Sequence, residues 1–173
     1  MENIILIGYM GSGKSSVARS LAEKTGMAFL DTDHRIEENE KRKISDIFAS
    51  DGEAVFRDME TALLRQLIDD GFRGILSTGG GMPVREENRA LLKQLGKVIY
   101  LRTSVDTLAM RLMGDRSRPL LQGETAESKK QKIADMLEAR EPAYTDAADA
   151  VIPTDEMTTA GLADEILTYM TFA

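Results

Sequence analysis

The chain has no cysteine, no tryptophan, one histidine and four prolines among its 173 residues. Without cysteine there is no disulfide framework, no thiolate metal site and no cysteine nucleophile, and the expected compartment is reducing. Basic charge is also short: 22 lysines and arginines face 29 aspartates and glutamates, a net charge of −7. The summed field repels polyanions, which argues against a nucleic-acid partner. Long apolar runs are missing too. The run Ile4–Ile7 stops at Gly8 without a basic leader before it, and nothing approaches the roughly 18 apolar residues of a membrane span. The expectation is a cytoplasmic protein with no membrane partner.

What is present is a globular composition, 42% hydrophobic and 29% charged, with no biased tract. A chain of this length buries a single core, so the expectation is one domain over 1–173, with a monomer as the default. Short apolar runs at 4–7, 28–30, 75–77, 98–101 and 150–152 read as strands buried on both faces. Helical periodicity falls at 14–24, 85–95 and 158–169, and at 33–70 with breaks near 41–43 and 51–52. Strands alternating with helices imply a three-layer α/β/α domain on a five-stranded parallel sheet, with ligands at the carboxyl ends of the strands. Within it, 33–62 reads as a helical insert. Residues 113–125 fit no period and carry Gly114, Arg116, Arg118, Pro119 and Gly123, the composition of a lid loop.

The first strand runs directly into Gly8-Tyr9-Met10-Gly11-Ser12-Gly13-Lys14-Ser15, and a helix follows. This is the P-loop pattern in the context it requires, and it places the chain in the P-loop NTPase fold. Gly11 and Gly13 let backbone N–H groups converge on phosphate oxygens at a helix amino terminus, with Ser12 and Ser16 in the same run. Lys14 has the reach for the β- and γ-phosphates, and the Ser15 hydroxyl suits a Mg²⁺ coordination position. A magnesium nucleotide is therefore implied, with ATP as the candidate. The Asn-Lys-x-Asp signature of guanine-specific switches is absent, which leaves a kinase or an ATPase.

Three further groups sit where ligands bind. Asp31 and Asp33 end the second strand, where one carboxylate can face a metal and the other an acceptor hydroxyl, or either can simply cap a helix. Arg57 and Glu60 are helical i,i+3 neighbours, on their own an ordinary solvated pair. Gly79, Gly80 and Gly81 follow the third strand and leave no side chain between the backbone and a ligand. His34, beside the aspartates, has no required role once an aspartate is in place.

Taken in order, the P-loop, Asp31-Thr32-Asp33, Gly52-Glu53 with Phe56-Arg57 and Glu60, Thr78-Gly79-Gly80-Gly81 and Arg118-Pro119-Leu120-Leu121 resemble the shikimate kinases over nearly the whole chain. The resemblance implies transfer of the ATP γ-phosphoryl group to the 3-hydroxyl of shikimate, with Asp33 as base or orienter of that hydroxyl. It implies that Asp31 holds Mg²⁺ beside Ser15. Arg57, Arg140 and the Gly79, Gly80 and Gly81 backbone would bind the acid substrate, with Glu60 fixing Arg57. Arg118, with Arg116 beside it, would close over the γ-phosphate, and Arg111 would pack on adenine. The acidic Pro153-Thr154-Asp155-Glu156 departs from the polar or basic adenine loop of the family. Rival readings are a P-loop kinase for gluconate or a nucleoside monophosphate, and a catalytically silent nucleotide-binding domain.

Overall fold

The computed structural model describes residues 1–113 and 125–173. Its strands are β1 (Ile4–Ile7), β2 (Phe29–Asp31), β3 (Ile75–Ser77), β4 (Lys97–Arg102) and β5 (Ala150–Pro153). They pair in parallel in the order β2-β3-β1-β4-β5. The helices are α1 (Lys14–Thr25), α2 (Thr32–Glu40), α3 (Ile44–Asp51), α4 (Glu53–Asp69), α5 (Glu86–Leu95), α6 (Val105–Met113), α7 (Ala126–Ala147) and α8 (Thr159–Phe172). Among the described residues, no helix is long and apolar enough to cross a membrane.

Because side chains alternate along a strand, each central strand feeds two cores. Ile5, Ile7, Val98 and Tyr100 point into one, with α2 to α7. Ile4, Leu6, Ile99 and Leu101 point into the other, with Val17 and Leu21 of α1 and Leu162 and Ile166 of α8. All eight strand residues are fully buried. Truncating one of the isoleucines or leucines among them to alanine costs about 2–5 kcal/mol. Helices cover both faces, so functional groups collect at the carboxyl edge of the sheet, where β1, β2 and β3 end side by side.

The expected elements are present, with boundaries shifted by one to three residues, and α6 and α7 are two helices beyond those expected. β2 begins at Phe29 and ends on Asp31, and α2 starts at the next residue. The helical stretch after β2 breaks at Lys41 and at Gly52, as the sequence suggests, and α4 then continues to Asp69. A short 3₁₀ turn at Met82–Val84 follows the three glycines. Helix α7 runs straight through Pro142. Met136 packs against the core, whereas Met110 and Met113 are exposed.

Candidate active site

The P-loop is held open by its own backbone. Gly13 precedes α1 with φ 91°, the left-handed region that glycine enters without cost, and so aims the first N–H groups of α1 into the loop. The Lys14 side chain lies back across that loop and donates from Nζ to the Gly8 carbonyl at 2.7 Å and the Tyr9 carbonyl at 2.9 Å. Its ammonium is thereby kept at the loop mouth. Arg111, from α6, donates from Nη1 to the Gly11 carbonyl at 3.0 Å. A cleft of about 510 Å³ opens here, lined by residues 10–17, Asp31, Asp33, Thr78, Gly80 and Arg111. Its far end reaches Met157, Thr159 and Leu162, which the sequence does not single out.

Ser15 Oγ donates to Asp31 Oδ2 at 2.7 Å and lies 3.3 Å from Ser77 Oγ. The second contact brings in a buried hydroxyl from the end of β3, recognisable in hindsight from its place just before Thr78. Asp31 Oδ1 also accepts from His34 N at 3.1 Å and so caps α2. Capping therefore falls to Asp31, while Asp33 sits in the first turn of the helix and faces the cleft. His34 turns outward to Glu38, 3.1 Å away.

The three glycines have a specific steric reason. A Cβ at Gly79 would lie 2.5 Å from Asp33 Oδ1 and 3.1 Å from Glu60 Oε1. A Cβ at Gly80 would lie 3.2 Å from the Met10 N of the P-loop and 3.5 Å from Arg140 Nη1. A Cβ at Gly81 would lie 2.5 Å from Arg57 Cζ. The missing side chains thus make room for Asp33 and Glu60, for Arg140 and for Arg57 in turn, and the turn becomes the floor on which α2, α4 and α7 meet the P-loop. Gly79 N donates to Thr32 Oγ1 at 3.0 Å, which ties the turn to α2.

Arg57 donates from Nη1 to Glu60 Oε2 at 2.8 Å and from Nη2 to Glu53 Oε1 at 3.2 Å. The pair is not the solvated one its spacing alone suggests, since the Glu60 side chain is fully buried and that of Arg57 only 14% exposed. Burial pushes the Glu60 carboxyl up to about 7, opposed by Arg57 and reinforced by the nearby Asp33 charge. Arg140 lies over the Tyr9 ring, with Cζ 5.7 Å from its centre. Two guanidinium groups and the Asp33 carboxylate therefore line one wall beside the phosphate loop.

Asp155, in the acidic stretch after β5, does not stand as a free charge. It accepts from Ser104 N at 3.1 Å and from Ser104 Oγ at 2.7 Å, at the start of α6. The predicted lid residues 114–124, including Arg116 and Arg118, lie outside the described residues. A second groove, of about 580 Å³ between α4 and α5, is lined by side chains already in ion pairs, Arg65 with Glu87 and Arg85 with Asp58.

A helix amino terminus wrapped by a glycine loop, next to a hydroxyl–carboxylate pair and a second wall built of arginines and an aspartate, defines a P-loop phosphotransferase. The sequence profile described as "SKI: Shikimate kinase" matches residues 10–171. The chain belongs to the shikimate kinase family. It is an ATP-dependent kinase that phosphorylates an alcohol group.

The similarity runs end to end. A shikimate kinase of Histophilus somni is 42% identical over 167 residues, covering 96% of this chain and 93% of the relative. One from Cupriavidus pinatubonensis is 42% identical over 172 residues, covering 99% and 87%. The solved shikimate kinase of Acinetobacter baumannii in complex with shikimate superposes with a TM-score of 0.91 at 40% identity, covering 99% of this chain and 94% of that one. That of Aquifex aeolicus gives 0.80 at 29% identity, covering 98% and 96%.

Proposed function

We propose that the chain transfers the γ-phosphoryl group of ATP to the 3-hydroxyl of shikimate, giving shikimate 3-phosphate and ADP for aromatic amino-acid synthesis. The observation that carries this reading is the gathering of Asp33, Arg57 and Arg140 on the Gly79, Gly80 and Gly81 turn, which itself abuts the P-loop. Arg57 and Arg140 bind the acceptor carboxylate, for which planar forked donors are suited. Asp33 accepts a hydrogen bond from the attacking hydroxyl and takes its proton as the new P–O bond forms. Lys14, with the backbone of Gly11, Ser12, Gly13, Ser15 and Ser16, holds the phosphates and offsets charge on the transferring group. Arg111 flanks adenine, and residues 33–62 act as the acceptor-binding insert. The lid role of 113–125, with Arg118 stabilising transition-state charge, belongs to the same reading.

The donor set suits Mg²⁺, which prefers oxygen ligands and keeps several waters. Ser15 Oγ and Asp31 supply one hydroxyl and one carboxylate 2.7 Å apart. The described residues contain no cluster of three or more acidic or histidine side chains that could cage an ion without phosphate. When bound, the ion would neutralise phosphate charge. A monomer belongs to the same reading. A net charge of −7 supports the absence of a nucleic-acid partner, and a chain without cysteine suits a reducing cytoplasm.

The test is coupled ADP release in the presence of shikimate, gluconate or nucleoside monophosphates. Shikimate alone is expected to raise turnover well above the background ATPase. No response to shikimate overturns the proposal.

A further inference from the structure

Tyr144 is fully buried on α7, and its hydroxyl donates to the Gly80 carbonyl at 2.5 Å. Burial pushes that phenol up to about 12, so it stays protonated and remains a donor at neutral pH. Three consecutive glycines have the greatest backbone freedom of any sequence and no side chains to anchor them. The Gly80 turn therefore holds its shape only through bonds to its peptide groups. Four such anchors are present among the described residues: Thr32 Oγ1 on Gly79 N at 3.0 Å, Met82 N on the Gly79 carbonyl at 3.1 Å, Tyr144 on the Gly80 carbonyl, and Val84 N on the Gly81 carbonyl at 3.1 Å.

The third anchor is one helical turn from Arg140 on the same helix, and a Cβ on Gly80 would lie 3.5 Å from Arg140 Nη1. In a planar trans peptide the C=O and the following N–H point in opposite directions. Drawing the Gly80 carbonyl toward Tyr144 therefore turns the Gly81 N–H the other way.

We infer that Tyr144 is a positioning residue for acceptor binding: its hydroxyl sets the Gly80–Gly81 peptide relative to Arg140, and with it the width of the acceptor carboxylate site. It does so without touching the substrate. The inference rests on the assignment of Arg140 and the glycine turn to the acceptor. Tyr144 also stacks on Tyr100, with ring centres 5.0 Å apart, and Tyr100 directs its own hydroxyl to Glu141. That second buried tyrosine is the natural comparator, because its hydroxyl does not bond the glycine turn.

The test is Tyr144→Phe, which keeps the stacked ring and removes only the hydroxyl. An unsatisfied buried carbonyl corresponds to a rise of about tenfold in KM and in Kd for shikimate. KM for ATP is expected to stay within about twofold. Tyr100→Phe is expected to lower the unfolding midpoint while leaving the ratio of the two KM values unchanged. An unchanged acceptor KM in Tyr144→Phe overturns the positioning role, and so does a parallel change in both KM values or a matching shift in Tyr100→Phe. Loss of folding in Tyr144→Phe also overturns it, since a hydroxyl needed for the whole core is not a device of the site. Arg140→Lys separates the premise: if acceptor KM is unchanged there, the acceptor assignment of Arg140 fails, independently of the Tyr144 result.

Discussion

The two halves of the site are built differently. In the proposed assignment, the nucleotide half is one contiguous run, Gly8 to Ser16, in which backbone groups and a helix terminus would do most of the binding, and its side-chain partners are few. The proposed acceptor half has no contiguous motif. Asp33 comes from α2, Arg57 and Glu60 from α4, the glycines from the end of β3 and Arg140 from α7, and they meet only because the sheet delivers those elements to one edge. A site made of backbone tolerates drift in its neighbours, whereas a site made of converging side chains depends on every packing contact behind them. Substitutions on the two sides should therefore fail in different kinetic terms.

The largest expected effect is on chemistry. Asp33→Asn keeps the shape but removes the proton acceptor, and kcat should fall by roughly 10²–10⁴-fold, read from single-turnover phosphoryl transfer. A near-normal rate would strip Asp33 of its role. Next, Arg57→Ala should raise KM for shikimate by about 10²-fold with KM for ATP nearly unchanged, because it removes a guanidinium from the acceptor wall and leaves Glu60 buried without its partner. Equal losses in both KM values would mean that the halves are not separable.

A smaller effect appears in stability. Folding raises the Glu60 carboxyl to about 7 from an ordinary value near 4.5. The folded chain thus binds that proton more tightly than the unfolded one. This contribution to stability is complete below the ordinary value and is lost as pH rises through about 7. Between pH 5 and 8 the chain should lose stability relative to Glu60→Gln, by at most about 1.4 kcal/mol per pH unit. Parallel urea-denaturation curves for the two across that range would show that Arg57 holds Glu60 ionised throughout. The smallest change is expected for Arg111→Ala. Its exposed guanidinium contributes on the scale of a surface charge contact, so KM for ATP should rise roughly two- to fivefold while acceptor binding, measured by titration, stays the same.

The same contrast explains what could be read in advance. The strands of the sheet are legible because a strand buried on both faces must be apolar throughout, as Ile4 to Ile7 are. The P-loop is legible because phosphate binding needs glycine at fixed spacing within one turn. The three glycines are visible too, but not why there are three; together they clear space for groups from α2, α4 and α7. Tyr144 had no role legible in the sequence, because α7 contains Pro142 and buries only Ile133, Tyr144 and Ala147, too few to set a period. Arg57 and Glu60 read as a solvated pair because burial is not a property of spacing.

By itself, then, the sequence determined the α/β order, the phosphate loop and, through the ordered set of short motifs, the family. These depend on local stereochemistry and on periodicity, which neighbouring residues encode. Only the tertiary structure decided that Asp31 rather than Asp33 caps α2, that Ser77 joins Ser15, that Glu60 is held near neutrality, and that the Gly80 carbonyl is tied to Tyr144. Each of those depends on distances between elements far apart in the chain, and on the water that their packing excludes.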